Sequence, residues 1–287
     1  MSACIIITGI MQMKSGFNRY LLFFLVFAMG IAGCEKTAIK QNDRTVPQLR
    51  YIKARTNGGD ILQNEYQYDD MGKIKTRISY KDYTAGLIGS LADYTYQDGR
   101  LLQIDEKMDF SSSSTAVQYV VGRSTFVYNG NQIIQQNHYL KSGNNYELRS
   151  FSVFTYDIAG HPVKQTRYLS DGSLIGYTLY TFVDNNVVLS EFYQLKQPTA
   201  IPELAIKSRY RYDNKKNPYR QVYQQIENIP FSVNANNITE STAIYYAAYT
   251  SSAQATTSAS TTTYQYNSMG YPELMKENGN SFILQYQ

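Results

Sequence analysis

Tyr66-Gln67-Tyr68-Asp69-Asp70-Met71-Gly72-Lys73-Ile74 is the stretch on which the reading of this 287-residue chain turns. It returns as Phe154-Thr155-Tyr156-Asp157-Ile158-Ala159-Gly160-His161-Pro162-Val163, and again as Tyr264-Gln265-Tyr266-Asn267-Ser268-Met269-Gly270-Tyr271-Pro272. Each copy sets an aromatic-x-aromatic pair ahead of a turn. Seven such pairs align: Tyr66/Tyr68, Tyr94/Tyr96, Phe126/Tyr128, Phe154/Tyr156, Tyr180/Phe182, Tyr210/Tyr212 and Tyr264/Tyr266. Their second aromatics lie 28, 32, 28, 26, 30 and 54 residues apart. The last interval is close to two periods, and Phe231 to Ile238 is the degenerate candidate inside it. A fixed period of this kind marks a repeat architecture, here of eight units.

The turn chemistry says what a unit is. In Asp69-Asp70-Met71-Gly72 the Asp opens a type I turn and the Gly takes the left-handed position that closes it. Asp98-Gly99 and Asn129-Gly130 suit two-residue type I′ hairpins, and Asn185-Asn186 fits the same role. Geometry therefore explains the repeated Asp without acid–base work. Around the first turn, Leu62, Asn64, Tyr66 and Tyr68 share one face. After it, Ile74, Thr76, Ile78 and Tyr80 alternate with Lys73, Lys75, Arg77 and Ser79, one greasy side and one wet. Two strands of about ten residues with their turns fill the period. Eight units then give about sixteen antiparallel strands joined as a meander. The expected class is all-β, a large barrel or half-barrel that curls to hide its edges and stands in water.

The N-terminus has a different grammar. Lys14 and Arg19 precede an apolar run from Tyr20 to Met29, followed by Gly30-Ile31-Ala32-Gly33-Cys34. A basic region, a short apolar run and small residues make a secretory signal, and the run is too short for a spanning helix. The expected boundaries are a signal at 1–33, a polar tether at 34–47 and one repeat β domain at 48–287. Met1 to Gln12 sits oddly ahead of the basic region, and Met13 is the more natural start. Without Lys14 and Arg19, the 27 basic residues become 25 against 23 acidic ones. That balance gives no reason to expect nucleic acid as a partner. Beyond the signal, Cys34 is the lone cysteine, which rules out a disulfide framework.

Two resemblances follow from these residues. Ile31-Ala32-Gly33-Cys34 resembles the lipobox of bacterial lipoprotein precursors. That resemblance implies cleavage before Cys34 and lipidation of Cys34, hence a membrane partner through acyl chains. Glu35 at the next position differs from the Asp that favours inner-membrane retention, so the implied location is the outer membrane, facing the periplasm or the surface. The pattern YxYDxxGKI resembles the Tyr-Asp repeat of bacterial Rhs-type shells. It is closer to a group of Gram-negative gut bacterial lipoproteins of unknown function with a porin-like fold. The segments Asn217-Pro218-Tyr219, Asn236-Asn237-Ile238-Thr239 and Tyr264 to Pro272 carry that likeness. The missing Gly at Asp213 to Asn217 and the weak unit near Phe231 depart from the pattern.

Nothing in the sequence marks catalysis. His138 and His161 fall in different repeats, and a zinc site needs three or four converging ligands. Asp105, Glu106 and Asp109 read as a solvated strand end. There is no phosphate-binding Gly loop, nucleophile elbow or paired Cys motif, and no cofactor is implied. The expectation is a non-catalytic, lipid-anchored envelope protein that binds or scaffolds, with a glycan or another envelope protein as partner. A glycan-binding accessory role is the first alternative, with the tyrosines as stacking groups. A hydrolase with an unmarked carboxylate pair is the second.

Overall fold

The structure is a computed structural model that describes residues 46–82, 87–109, 119–196, 201–223, 226–246 and 254–287. The expected signal, Cys34 and the tether as far as residue 45 lie outside the described residues.

The period-two segments form sixteen strands. They are β1 (Leu49–Thr56), β2 (Gly59–Tyr68), β3 (Ile74–Asp82), β4 (Leu87–Gln97), β5 (Arg100–Asp109), β6 (Tyr119–Asn129), β7 (Gln132–Ser142) and β8 (Asn145–Tyr156). The second half is β9 (Pro162–Leu169), β10 (Leu174–Val183), β11 (Asn186–Gln194), β12 (Glu203–Lys216), β13 (Asn236–Tyr245), β14 (Thr256–Tyr266), β15 (Pro272–Glu277) and β16 (Asn280–Tyr286). Each strand pairs antiparallel with its chain neighbours. β1 also pairs with β16, through Leu49↔Tyr286 and Ile52↔Leu284, and this closes the barrel. Closure leaves no edge strand, which settles the choice between barrel and half-barrel.

The repeated turns behave as read. Asp69 Oδ1 accepts from the Met71 and Lys73 amides, both at 2.9 Å, and Gly72 N donates to the Asp69 carbonyl. Asn267 does the same for Met269 and Tyr271. Two hairpins correct the reading. Asn129 stays in its strand and the loop is Gly130-Asn131, with positive φ at Gly130 only, the mark of a type II′ turn. The turn expected at Asn185-Asn186 lies one residue earlier, at Asp184-Asn185, where both residues have positive φ.

The repeat grammar has a further cause. In all seven aligned units the register shifts immediately before the second aromatic, at Gln67/Tyr68, Thr95/Tyr96, Val127/Tyr128, Thr155/Tyr156, Thr181/Phe182, Arg211/Tyr212 and Gln265/Tyr266. Each shift is a bulge with its extra residue on the following strand, for example Lys75 between Thr76 and Ile74. Bulges re-aim side chains and disrupt the ladder locally. At several of these bulges a phenol of the next unit supplies a hydrogen bond. Tyr68 Oη donates to the Leu49 carbonyl (2.6 Å), Tyr128 to Leu101 (2.9 Å), Tyr156 to Ile133 (2.7 Å) and Tyr286 to Pro272 (2.6 Å). Tyr212 makes the same bond to Val187. Because Leu49 pairs with Tyr286 and accepts from Tyr68, the series of latches runs across the seam.

The bulges also overturn the expected phase of β3. Ile74 is buried, but the extra Lys75 switches faces, so Arg77 and Ser79, not Thr76 and Ile78, point into the lumen beside Tyr66 and Asn64. The eighth unit is likewise not at Phe231. It is Leu284-Gln285-Tyr286 on β16, with an aliphatic residue in the first aromatic position. The 54-residue interval contains one hairpin and two stretches, 217–223 and 226–235, that turn into the barrel.

Candidate functional site: the plugged lumen

That inserted segment fills one end of the barrel. It carries one helical turn, α1 (Tyr219–Val222), and returns through Ile226 to Ala235. Val222 and Ile226 are buried in a core with Leu49, Ile52, Tyr66, Ile74, Tyr94, Leu101, Phe126, Ile133 and Phe154, the inward residues nearest the repeated turns. Asparagines pin the segment at its base. Asn217 Nδ2 donates to the carbonyls of Phe231 (2.8 Å) and Asn234 (3.0 Å), and Asn234 Oδ1 accepts from the Val187 amide (2.8 Å). Asp213, where the sequence lacks the expected turn Gly, belongs to β12 and binds Asn237 and Tyr266. The segment is a plug, held by the wall it blocks.

Beyond the plug the inward face becomes polar. On β4, β6, β8 and β10, the residues two and four places before the first aromatic are small: Ala92 and Ser90, Ser124 and Gly122, Ser152 and Ser150, Thr178 and Gly176. On the odd strands the bulge turns longer polar side chains inward, namely Arg77, Glu106, Gln136, His138, Gln165 and Arg167. Together with plug residues Ile226 to Ile229 they line a cavity of about 790 Å³. A smaller cavity of about 270 Å³, lined by Asn64, Tyr210, Asn236 and Glu277 among others, lies against another side of the plug.

Charge in the large cavity is arranged unevenly. Arg77 lies 3.5 Å from Glu106 and 3.8 Å from the plug's Glu227, and its guanidinium is 5.2 Å from the Tyr223 ring centre. Tyr94 Oη donates to Glu227 at 3.4 Å. Desolvation opposes the charge on Arg77, but Tyr94, Glu227, Tyr223 and Glu106 outweigh it and hold the guanidinium protonated. Burial pushes the Tyr94 phenol far above its ordinary value. Across the lumen, Gln136 donates to Ser124 (3.4 Å), Gln165 to Ser152 (3.3 Å) and Tyr180 to Gln165 (3.3 Å). His138 Nδ1 meets Ser124 Oγ at 3.2 Å. Burial, and then Arg167, lower the His138 pKa, so its imidazole is neutral near pH 7. Arg167 is exposed, with the Phe192 ring 5.7 Å away and no carboxylate partner among the described residues.

The residues singled out in the sequence are dispersed. His161 sits at a turn, bonded to Asp157 and Asn185 and stacked on Phe182, remote in register from luminal His138. The acidic group divides and does not act as one solvated strand end. Asp105 points outward to Arg123 (2.7 Å), Glu106 points into the lumen, and Asp109 pairs with Lys81 (2.9 Å). No cluster of three His, Cys, Asp or Glu residues able to hold a metal occurs among the described residues. Arg77, Arg167, Gln136, Gln165 and Glu227 escaped the sequence reading. The small residues that alternate with larger ones before the pairs at Tyr94, Phe126, Phe154 and Tyr180 were the available signal for a lumen.

No protein-family model and no curated protein matches the chain. Among solved structures it is similar to a porin-like protein from Bacteroides uniformis, with 12% identity and a TM-score of 0.45 over 82% of this chain and 96% of that one. A porin-like protein from Bacteroides vulgatus is similar at 11% identity and a TM-score of 0.39, over 84% and 99%. A TcdB2-TccC3-Cdc42 structure is similar at 10% identity and a TM-score of 0.27, over 82% of this chain and 14% of that one.

Proposed function

We propose that this is a lipid-anchored protein of the outer membrane that holds a small polar molecule in its plugged lumen and does no chemistry on it. The observation that carries this reading is the plug. A polar lumen open at both ends suits passage, whereas one filled by Val222, Ile226 and the inward aromatics suits retention. The volume of about 790 Å³ falls in the ~300–1,000 Å³ range of small-molecule sites.

The outer wall supports a barrel that stands in water. Outward positions carry Lys53, Glu65, Lys75, Lys107, Arg123, Lys164, Glu191 and Arg209, on strands between β1 and β12. A membrane-spanning barrel presents an apolar band about 25 Å tall there instead. Attachment then falls to Cys34, where several acyl chains give stable anchoring. Glu106 and Glu227 do share the cavity, as a hydrolase would require. The Arg77 guanidinium lies between them, where a glycosidic bond and water would have to sit.

Two measurements test the proposal. Radiolabelled palmitate should enter the wild-type protein and be lost in Cys34→Ser; retained label defeats the anchor. A thermal-shift screen of the purified lipoprotein against mono- and oligosaccharides and other small polar solutes should find stabilising ligands. Ser152→Tyr, which fills the lumen, should abolish the shift. A screen with no hit, or hits indifferent to Ser152→Tyr, defeats the receptacle.

A further inference from the structure

Arg167 stands apart from every other charge in the cavity. It lies on β9, four strands round the wall from Glu106 on β5, and Arg77 already engages both Glu106 and Glu227. Its cross-strand neighbours are small: Ser152 on β8 and Gly176 on β10. Phe192 supports the guanidinium from one side. A guanidinium backed by an aromatic ring keeps its N–H edge free, and that edge matches a carboxylate with two parallel hydrogen bonds. Around it the wall offers hydroxyls and amides: Ser150, whose hydroxyl makes no hydrogen bond among the described residues, and Gln136, Gln165 and Tyr180. His138, being neutral, adds no second cation.

We infer that the lumen is selective for a sugar acid, a polyhydroxylated ligand bearing one carboxylate, and that Arg167 receives that carboxylate. This rests on the receptacle reading above and names its ligand class. A single guanidinium fits a monoanion; a phosphate dianion calls for more positive charge than this wall supplies. The hydroxyl-rich neighbours fit a sugar ring and not an aliphatic acid, which would leave them desolvated and unpaired.

The test is calorimetric titration of the purified lipoprotein with galacturonic acid, which bears one carboxylate, and with its neutral counterpart, galactose. The acid should bind at least about tenfold more tightly, the scale of a hydrogen bond to a charged group. Arg167→Gln should remove that preference, Arg167→Lys should restore part of it, and Arg55→Gln on the outer wall should change nothing. Arg167 is exposed to the cavity, so these variants should fold, with circular dichroism as the check. Equal binding of both sugars, unchanged in Arg167→Gln, overturns the inference and leaves the receptacle standing. Binding of neither sugar, while the solute screen returns a lumen-dependent hit, overturns the inference alone. If both sugars and the screen are negative, both readings fall.

Discussion

One face of one strand passes through two environments. On β8, Phe154 packs into the sealed end of the barrel, while Ser152 and Ser150, two and four residues earlier on the same face, line the polar cavity. On β6, Phe126 gives way to Ser124 and Gly122; on β4, Tyr94 gives way to Ala92 and Ser90. On the odd strands, Ile74, Leu101 and Ile133 give way to Arg77, Glu106 and Gln136. Inward does not mean apolar in a sixteen-strand barrel, because the wall cannot fill its own interior. The aromatic repeat closes one end with help from the plug, and the strand beyond it lines the polar cavity.

The strongest way to break this comparison is to truncate one residue in each layer. Tyr66 is 1% exposed and touches the plug's core residues. Tyr66→Ala should cost about 3–5 kcal/mol in urea unfolding, the range for large aromatic truncations. Ser150→Ala, in the cavity and with a hydroxyl that has no hydrogen-bond partner among the described residues, should stay within about 0.5 kcal/mol. Similar losses for the two would show that the lumen is core after all.

The repeat count, the strand count and the meander were legible because turn residues and period-two alternation act locally. Asp69, Gly72, Asp157 and Gly160 sit where their chemistry put them. Closure and the plug were not legible, since both depend on contacts far apart in sequence, such as Leu49 with Tyr286 and Arg77 with Glu227. The error on β3 has the same root. A bulge is a one-residue event that no alternation pattern announces, yet it reversed Arg77 and Thr76. The Phe231 segment misled because its spacing matched the repeat, while the true eighth unit replaces the first aromatic with Leu284. Cys34, the one site residue that the sequence named, lies outside the described residues.

A finer test separates the bulge from the aromatic ring. In Tyr156→Phe the ring stays and only the bond to the Ile133 carbonyl goes. Burial raises the Tyr156 pKa to about 12, as expected for a phenol shielded from water and kept as a donor. The change should cost about 0.5–1.5 kcal/mol. Phe182, whose ring already lacks a hydroxyl, stacks on His161 at 4.5 Å instead, so Phe182→Tyr should bring no comparable gain. A loss below 0.3 kcal/mol for Tyr156→Phe would mean that water replaces the latch, and that the tyrosines recur for their rings alone.

The smallest effect uses the two histidines as reporters, one in each region. At the turn, Asn185, opposed by desolvation and joined by Asp157, raises the His161 pKa, with Arg220 of the plug acting against it. A raised folded pKa gives stability that is complete below the unfolded value of about 6.5 and is lost as pH rises through the folded one. In the lumen, burial and then Arg167 lower the His138 pKa. Protonation is disfavoured there in the folded state, so its contribution is complete above about 6.5 and is lost as pH falls. The two slopes oppose each other between about pH 5 and 8, so in the wild type each offsets part of the other. His161→Gln leaves only the luminal histidine, and stability should then rise with pH. His138→Gln leaves only the turn histidine, and stability should fall with pH. Slopes of the same sign in the two variants would mean that the turn and the lumen present one electrostatic environment, and the distinction between the sealed end and the polar cavity would lose its physical basis.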